Sequence, residues 1–267
     1  MRYSIVLSTQ PASFSALAYK GRLQENIKKI RDLGFDGVEL AVRDPELLDL
    51  DELNKILSAN QLPVPAIGTG QAYGEEHLSF TSADPLVRAN AVSRIKAQVR
   101  LAKSLQAHVI IGLIRGSSAA SGNADRCEDW LIEALLECSA EDEDVKLVIE
   151  PINRYETDLI NLVSEGIRLI EKLQKSNVGL LLDTFHMNIE EPSITESIRL
   201  SSSYLYHFHV ADSNRWYPGA GHIDFREILE LLDKIGYKGF ISAEILPHPD
   251  PDTAAEKTIK YVRSVSP

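Results

Sequence analysis

The chain has 267 residues, 44% hydrophobic and 25% charged, an ordinary globular balance that supplies a sizeable core and excludes long disorder. Its net charge of -11 opposes a phosphate backbone, and its lysines and arginines are scattered rather than gathered in a stripe, which excludes nucleic acid as an expected partner. No apolar run approaches the ~18 residues of a membrane span, and MRYSIVLSTQ lacks the apolar stretch of a signal peptide, so the expectation is a cytoplasmic protein with no membrane partner.

Short apolar runs alternate with longer helical patterns along the chain. Tyr3 to Leu7 reads as a strand and Leu23 to Leu33 as a helix, with Gly34 where a C-terminal cap belongs. Gly37 to Leu40 precedes a helix from Asp51 to Ala59, and Val64 to Gly68 precedes one from Leu86 to Leu105. His108 to Gly112 leads to Asp125 to Ser139, which carries Cys127 and Cys138 on one face but roughly 16 Å apart along the axis, beyond the reach of a disulfide. Two thiols left free fit a reducing compartment.

Lys146 to Glu150 is followed by the helical pattern Leu162 to Lys172, and Val178 to Asp183 by a shorter, weaker one from Ser193 to Leu200. Leu205 to Val210 leads to Phe225 to Ile235, opened by Asp224 as an N-cap and closed by Gly236. Phe240 to Glu244 and Ala254 to Val265 complete the series. About eight strand-helix units, with no linker composition between them, predict the α/β class and a (β/α)8 TIM barrel, a single domain over residues 1–267.

In such barrels chemistry sits at the C-terminal ends of the strands. The last four strands end in Glu150, Asp183, His209 (one residue before the end) and Glu244, each about one strand-helix unit from the next. If these four point inward, alternation turns Val148, Leu181, His207 and Ser242 inward as well, and turns the apolar Ile149, Leu182, Phe208 and Ala243 toward the helices. Three clustered carboxylates repel one another unless protons or a cation intervene. A divalent ion resolves the conflict, and three oxygens with one imidazole form a hard donor set: Mn2+ first, then Mg2+ or Co2+, with Zn2+ less suited.

At these positions the chain resembles the xylose-isomerase-like superfamily of sugar isomerases and epimerases, and within it the D-tagatose and D-psicose 3-epimerase branch. The stretches that carry the resemblance are IEPINRYE (149–156), LLDTFHMNIEE (181–191), HFHVADSNRWYPGAGHIDF (207–225) and SAEIL (242–246), with FDGVEL (35–40) at the second strand. The resemblance implies a metal held by Glu150, Asp183, His209 and Glu244, with Glu150 and Glu244 doubling as the acid-base pair. It also implies that Glu156, His186 and Arg215 contact the substrate, and that the protein is a homodimer or homotetramer. Glu39, ending the second strand, reads equally as a substrate contact or a structural residue.

The chemistry expected is metal-dependent ketose 3-epimerisation through a metal-bound cis-enediolate: one glutamate removes the C3 proton and the other returns a proton to the opposite face. GAG at 219–221 offers no Lys or Arg cluster for a phosphate, which favours an unphosphorylated keto sugar. An aldose-ketose isomerase, moving the proton between C1 and C2, would use the same residues. A keto-polyol dehydratase and a non-catalytic sugar-binding barrel are the further alternatives.

Overall fold

The computed structural model describes residues 1–267. Its strands are β1 (Arg2–Ser8), β2 (Tyr19–Lys20), β3 (Gly37–Ala41), β4 (Ala66–Gly68), β5 (His108–Ile111), β6 (Leu147–Ile149), β7 (Val178–Asp183), β8 (Leu205–Val210) and β9 (Phe240–Ala243). All pairings are parallel, and β1 pairs with both β3 and β9. The sheet is therefore closed into an eight-stranded barrel, and β2 is a two-residue addition beside the end of β1. No helix is long and apolar enough to cross a membrane.

Helices α1 (Leu23–Asp32), α2 (Leu50–Asn60), α3 (Gly70–Glu76), α4 (Pro85–Leu105), α5 (Ser118–Ser121) and α6 (Ala124–Ser139) accompany the first half. The second half carries α7 (Val163–Leu173), α8 (Thr184–Glu190), α9 (Ile194–Leu200), α10 (Phe225–Lys234) and α11 (Pro251–Val265). Local chemistry marks their ends as the sequence implies. The Asp224 carboxylate accepts from Glu227 N at 3.1 Å, and Gly34 and Gly236 lie at φ 91° and 76°, which only glycine adopts at little cost. Helices α3 and α8 are absent from the sequence reading. Each has only seven residues, too few for an amphipathic period to declare itself.

The predicted facing holds. Ile149, Leu182, Phe208 and Ala243 join the main core between barrel and helices, whereas Val148 and Leu181 pack with Ala66 and Ile110 inside the barrel. Cys127 and Cys138 are both buried and free. One interior glycine is set by close approach: a Cβ on Gly179 would collide with the Tyr206 ring and stand 2.7 Å from the Tyr204 carbonyl oxygen. Gly179→Ala should therefore destabilise the barrel by about 1–3 kcal/mol, the usual cost of overpacking. Urea unfolding checks this, and an unchanged midpoint would refute it.

Candidate metal centre and active site

Glu150 and Glu244 lie one residue beyond β6 and β9, Asp183 closes β7, and His209 is the penultimate residue of β8. Barrel closure brings one donor atom from each of the four within 4.8 Å of every other. His209 Nδ1 stands 4.0 Å from Glu150 Oε1 and 3.9 Å from Asp183 Oδ2. These three atoms are buried and have no hydrogen-bond partner. Buried polar atoms are normally satisfied, so three orphaned donor atoms brought together in this way fit a bound cation.

The rest of each side chain is fixed elsewhere. Asp183 uses Oδ1 to cap α8, accepting from Phe185 N at 2.7 Å, which leaves Oδ2 for the cluster. His209 Nε2 is engaged by Glu39 Oε1 and Oε2 at 3.0 and 3.1 Å, which turns Nδ1 toward the carboxylates. Glu39 also meets His207 Nε2 at 2.7 Å. Glu39 thus lies behind a candidate ligand and orients it, the usual arrangement of a carboxylate, a histidine and a metal. Sequence reasoning left its role open, because the partners are far apart in the chain.

Electrostatics agree with the geometry. Burial, then Glu244, pushes the Glu150 carboxyl well above the usual carboxylate range. Burial also raises Asp183 against the pull of His209, and Glu244 against the pull of Arg215 and His209. Burial pulls the His209 imidazolium down, but Glu39, Glu244 and Glu150 outweigh it and hold it up at about 10. A protonated His209 is then the only positive charge within the ligand set, and a divalent ion would displace that proton.

Of the three expected substrate contacts, His186 and Arg215 touch this cluster and Glu156 joins it through Arg215. His186 Nε2 stands 3.8 Å from Glu150 Oε1, while its Nδ1 faces the Asn153 side-chain amide at 2.7 Å and its backbone N–H at 3.4 Å. Asn153 therefore assigns the proton to Nε2 as a donor, and burial, then Arg215, keeps the ring neutral far below the ordinary histidine range. Arg215 donates from Nη2 to Glu244 at 2.8 Å and from Nη1 to Glu156 at 3.0 Å, and its Nε–H is buried without a partner. The guanidinium lies over the rings of Phe14 and Phe185, 5.0 and 4.8 Å from their centroids. The buried Asp212 carboxylate organises its loop by accepting from Ser213 N, Gly219 N and Ile223 N. That explains the close glycines of GAG without any phosphate.

Two residues the sequence reading passed over complete the setting. Asn153 joins His186 to Glu156, donating to Glu156 Oε1 at 3.0 Å. Arg115, fully buried, donates to the carbonyls of Gly112 (2.9 Å), Leu159 (2.9 Å) and Ile160 (3.2 Å), pinning the loops on either side of Glu150. Above the cluster opens a cavity of about 290 Å³ lined by Glu150, His186, His209, Arg215 and Glu244, and by Phe14 and Gln71 from the opposite wall. Its size is at the lower end for small-molecule pockets.

Comparison with known proteins places this geometry in a family. The chain is 35% identical over 227 residues to the D-psicose 3-epimerase of Ruminiclostridium cellulolyticum, covering 82% of this chain and 76% of that protein. It is 31% identical to the L-ribulose 3-epimerase of Mesorhizobium japonicum, with 86% and 78% covered. The crystal structure of D-psicose 3-epimerase with D-tagatose from Clostridium cellulolyticum H10 superimposes with a TM-score of 0.83 at 26% identity, over 99% of both chains. The family model described as the xylose isomerase-like TIM barrel matches residues 27–265, and on that match the chain belongs to this family, among its sugar epimerases and isomerases.

Proposed function

We propose that the protein is a metal-dependent ketose 3-epimerase acting on an unphosphorylated keto sugar. The observation that carries this reading is the convergence of orphaned Glu150 Oε1, Asp183 Oδ2 and His209 Nδ1, with Glu244 beside them, beneath a sugar-sized cavity. Identity to curated ketose 3-epimerases at 31–35% supports the reaction class. The hard donor set favours Mn2+, with Mg2+ or Co2+ as substitutes. Two buried free thiols suit a reducing cytoplasm.

A hydrogen beside a ketone is weakly acidic, and its removal leaves negative charge on the carbonyl oxygen. When bound, a divalent ion supplies the positive charge that stabilises such an oxygen. Glu150 and Glu244 enter from β6 and β9, so a ketose held between them offers one carbon to both carboxylates. One removes the C3 proton, the other delivers a proton to the opposite face, and inversion follows. Arg215 restrains Glu244 through Oε2, leaving Oε1 to face the sugar, and its unpaired Nε–H is available to a sugar oxygen. His186 Nε2–H offers a second neutral donor close to Glu150. Arg215 is the only lysine or arginine lining the cavity and is bound to two carboxylates, so a phosphate carried away from the metal would meet no free basic side chain.

Deuterium labelling separates this reading from the C1–C2 isomerase. The Mn2+-loaded protein is incubated with ketoses in D2O and the label located by NMR. Label at C3, with appearance of the C3 epimer, is expected. Label at C1 alone would replace the epimerase reading by the isomerase one.

A further inference from the structure

The cavity wall facing the ligand cluster has its own chemistry. Glu150, Asp183, His209 and Glu244 come from β6 to β9, whereas the opposite wall is built by α3, which follows β4, and by the loop after β1 that carries Phe14. Within α3, Gly70 and Gly74 line the cavity, and neither lies at the positive φ that would demand glycine. A Cβ at either would meet nothing within 4 Å. Glycine inside a helix costs about 1 kcal/mol against alanine, and at Gly74, unlike Gly70 which only opens α3, neither backbone strain nor close packing offsets it. What the two glycines provide is room at the mouth of the cavity.

Between them in sequence, Gln71 lines the same space and is 5% exposed. Its Nε2 donates to Ser8 Oγ at 2.6 Å, and Ser8 Oγ in turn donates to the Gln10 carbonyl at 2.6 Å. This chain of bonds fixes the amide and leaves Oε1 buried with no partner, an acceptor held ready for a donor. Phe14 supplies a half-buried aromatic face, the surface a sugar ring stacks on. Glu75, also lining the mouth, is held by Ser13 N and Oγ at 2.6 and 2.7 Å, and Lys20 Nζ donates to the Ala12 and Phe14 carbonyls at 2.9 and 2.5 Å, so both charges there are already engaged and neither is free for a charged substituent.

We propose that the mouth between α3 and the Phe14 loop is a subsite for a neutral, hydroxyl-bearing substituent on the keto sugar, such as a glycosyl group, with Gln71 Oε1 accepting one of its hydroxyls. The proposal rests on the ketose-epimerase reading of the adjoining centre. It assigns selection of the distal group to Gly70, Gly74 and Gln71, and the substrate class to glycosylated ketoses with an intact ketose end.

The test compares a ketohexose with the same ketohexose carrying a glucosyl group on O6 or O4, by deuterium uptake at C3 in D2O with the Mn2+-loaded enzyme. The wild type should process a glucosylated sugar with kcat/KM at least equal to that of the free one. Gly74→Leu, which fills the mouth, should lower the preference for the glucosylated sugar by about tenfold or more, the effect of one pocket contact. Gln71→Leu should act mainly through KM for that sugar. Gly74→Ala is the folding control, expected to raise Tm because alanine is the better helix former. Uptake by the free sugar alone, or an equal fall for both sugars in Gly74→Leu, would overturn the subsite while leaving the epimerase reading intact. Uptake by neither would overturn that reading and the subsite with it.

Discussion

Glu150→Gln and Glu244→Gln are each expected to lower kcat by about 10²–10⁴-fold, the range of a lost general acid or base. Both side chains also belong to the donor set, so a fall in turnover alone would not separate proton transfer from loss of metal. The separation comes from calorimetric titration with Mn2+. Glutamine keeps a carbonyl oxygen where Glu150 has its orphaned Oε1, and Arg215 still restrains position 244. Metal affinity should then fall by no more than about 10–100-fold, and saturating Mn2+ should not restore turnover. If both variants regained wild-type kcat in excess metal, the acid-base assignment would fail.

Chelation is the second large effect. Stripping metal should reduce turnover by at least about 10²–10³-fold and lower Tm, and Mn2+ should restore both. The Tm increment should also depend on pH. Glu150, Asp183 and Glu244 have folded-state pKa values raised by burial in the metal-free protein. Their stabilising contribution is complete below the unfolded carboxylate range and is lost as pH rises through the raised values. His209, held at about 10, runs the same way: complete below about 6.5, lost toward alkaline pH. A cation relieves the carboxylate repulsion and replaces the His209 proton, so the metal-induced rise in Tm should grow from about pH 5 to about pH 8. His186 lies outside the donor set and is lowered by burial, so it destabilises the fold as pH falls below about 6.5 with or without metal. Scanning calorimetry checks this, and an increment that shrank with rising pH would contradict the metal assignment.

Much of this was legible in the chain because barrel strands are short, apolar and separated by helices of ordinary length. The alternation that turns Ile149, Leu182, Phe208 and Ala243 outward turns the neighbouring Glu150, Asp183, His209 and Glu244 inward, so one periodicity announces both core and cluster. What the sequence left open or missed depends on closure. Glu39 meets His207 and His209 only because the barrel brings β3 and β8 toward a common interior. Asn153 and Arg115 act on backbone and rings brought close by loops, and nothing in the local pattern of an Asn or an Arg distinguishes such a partner from a surface residue. Gln71 sits in a helix of seven residues whose two glycines read as loop composition.

Arg215 bridges Glu156 and Glu244, and its carbonyl also receives Leu246 N at 2.8 Å, which ties the loop after β8 to the segment after β9. Glu244 and the residues around Arg215 are thereby braced together on the second half of the barrel. The opposite wall shares no such brace with it beyond the contact of Phe14 with the guanidinium. Variation in the Phe14 loop and α3 is thus mechanically insulated from the reacting carbon. The molecule has the build of a fixed tool with an exchangeable holder, and transplanting residues 9–18 and 69–77 between relatives is the natural way to retarget it.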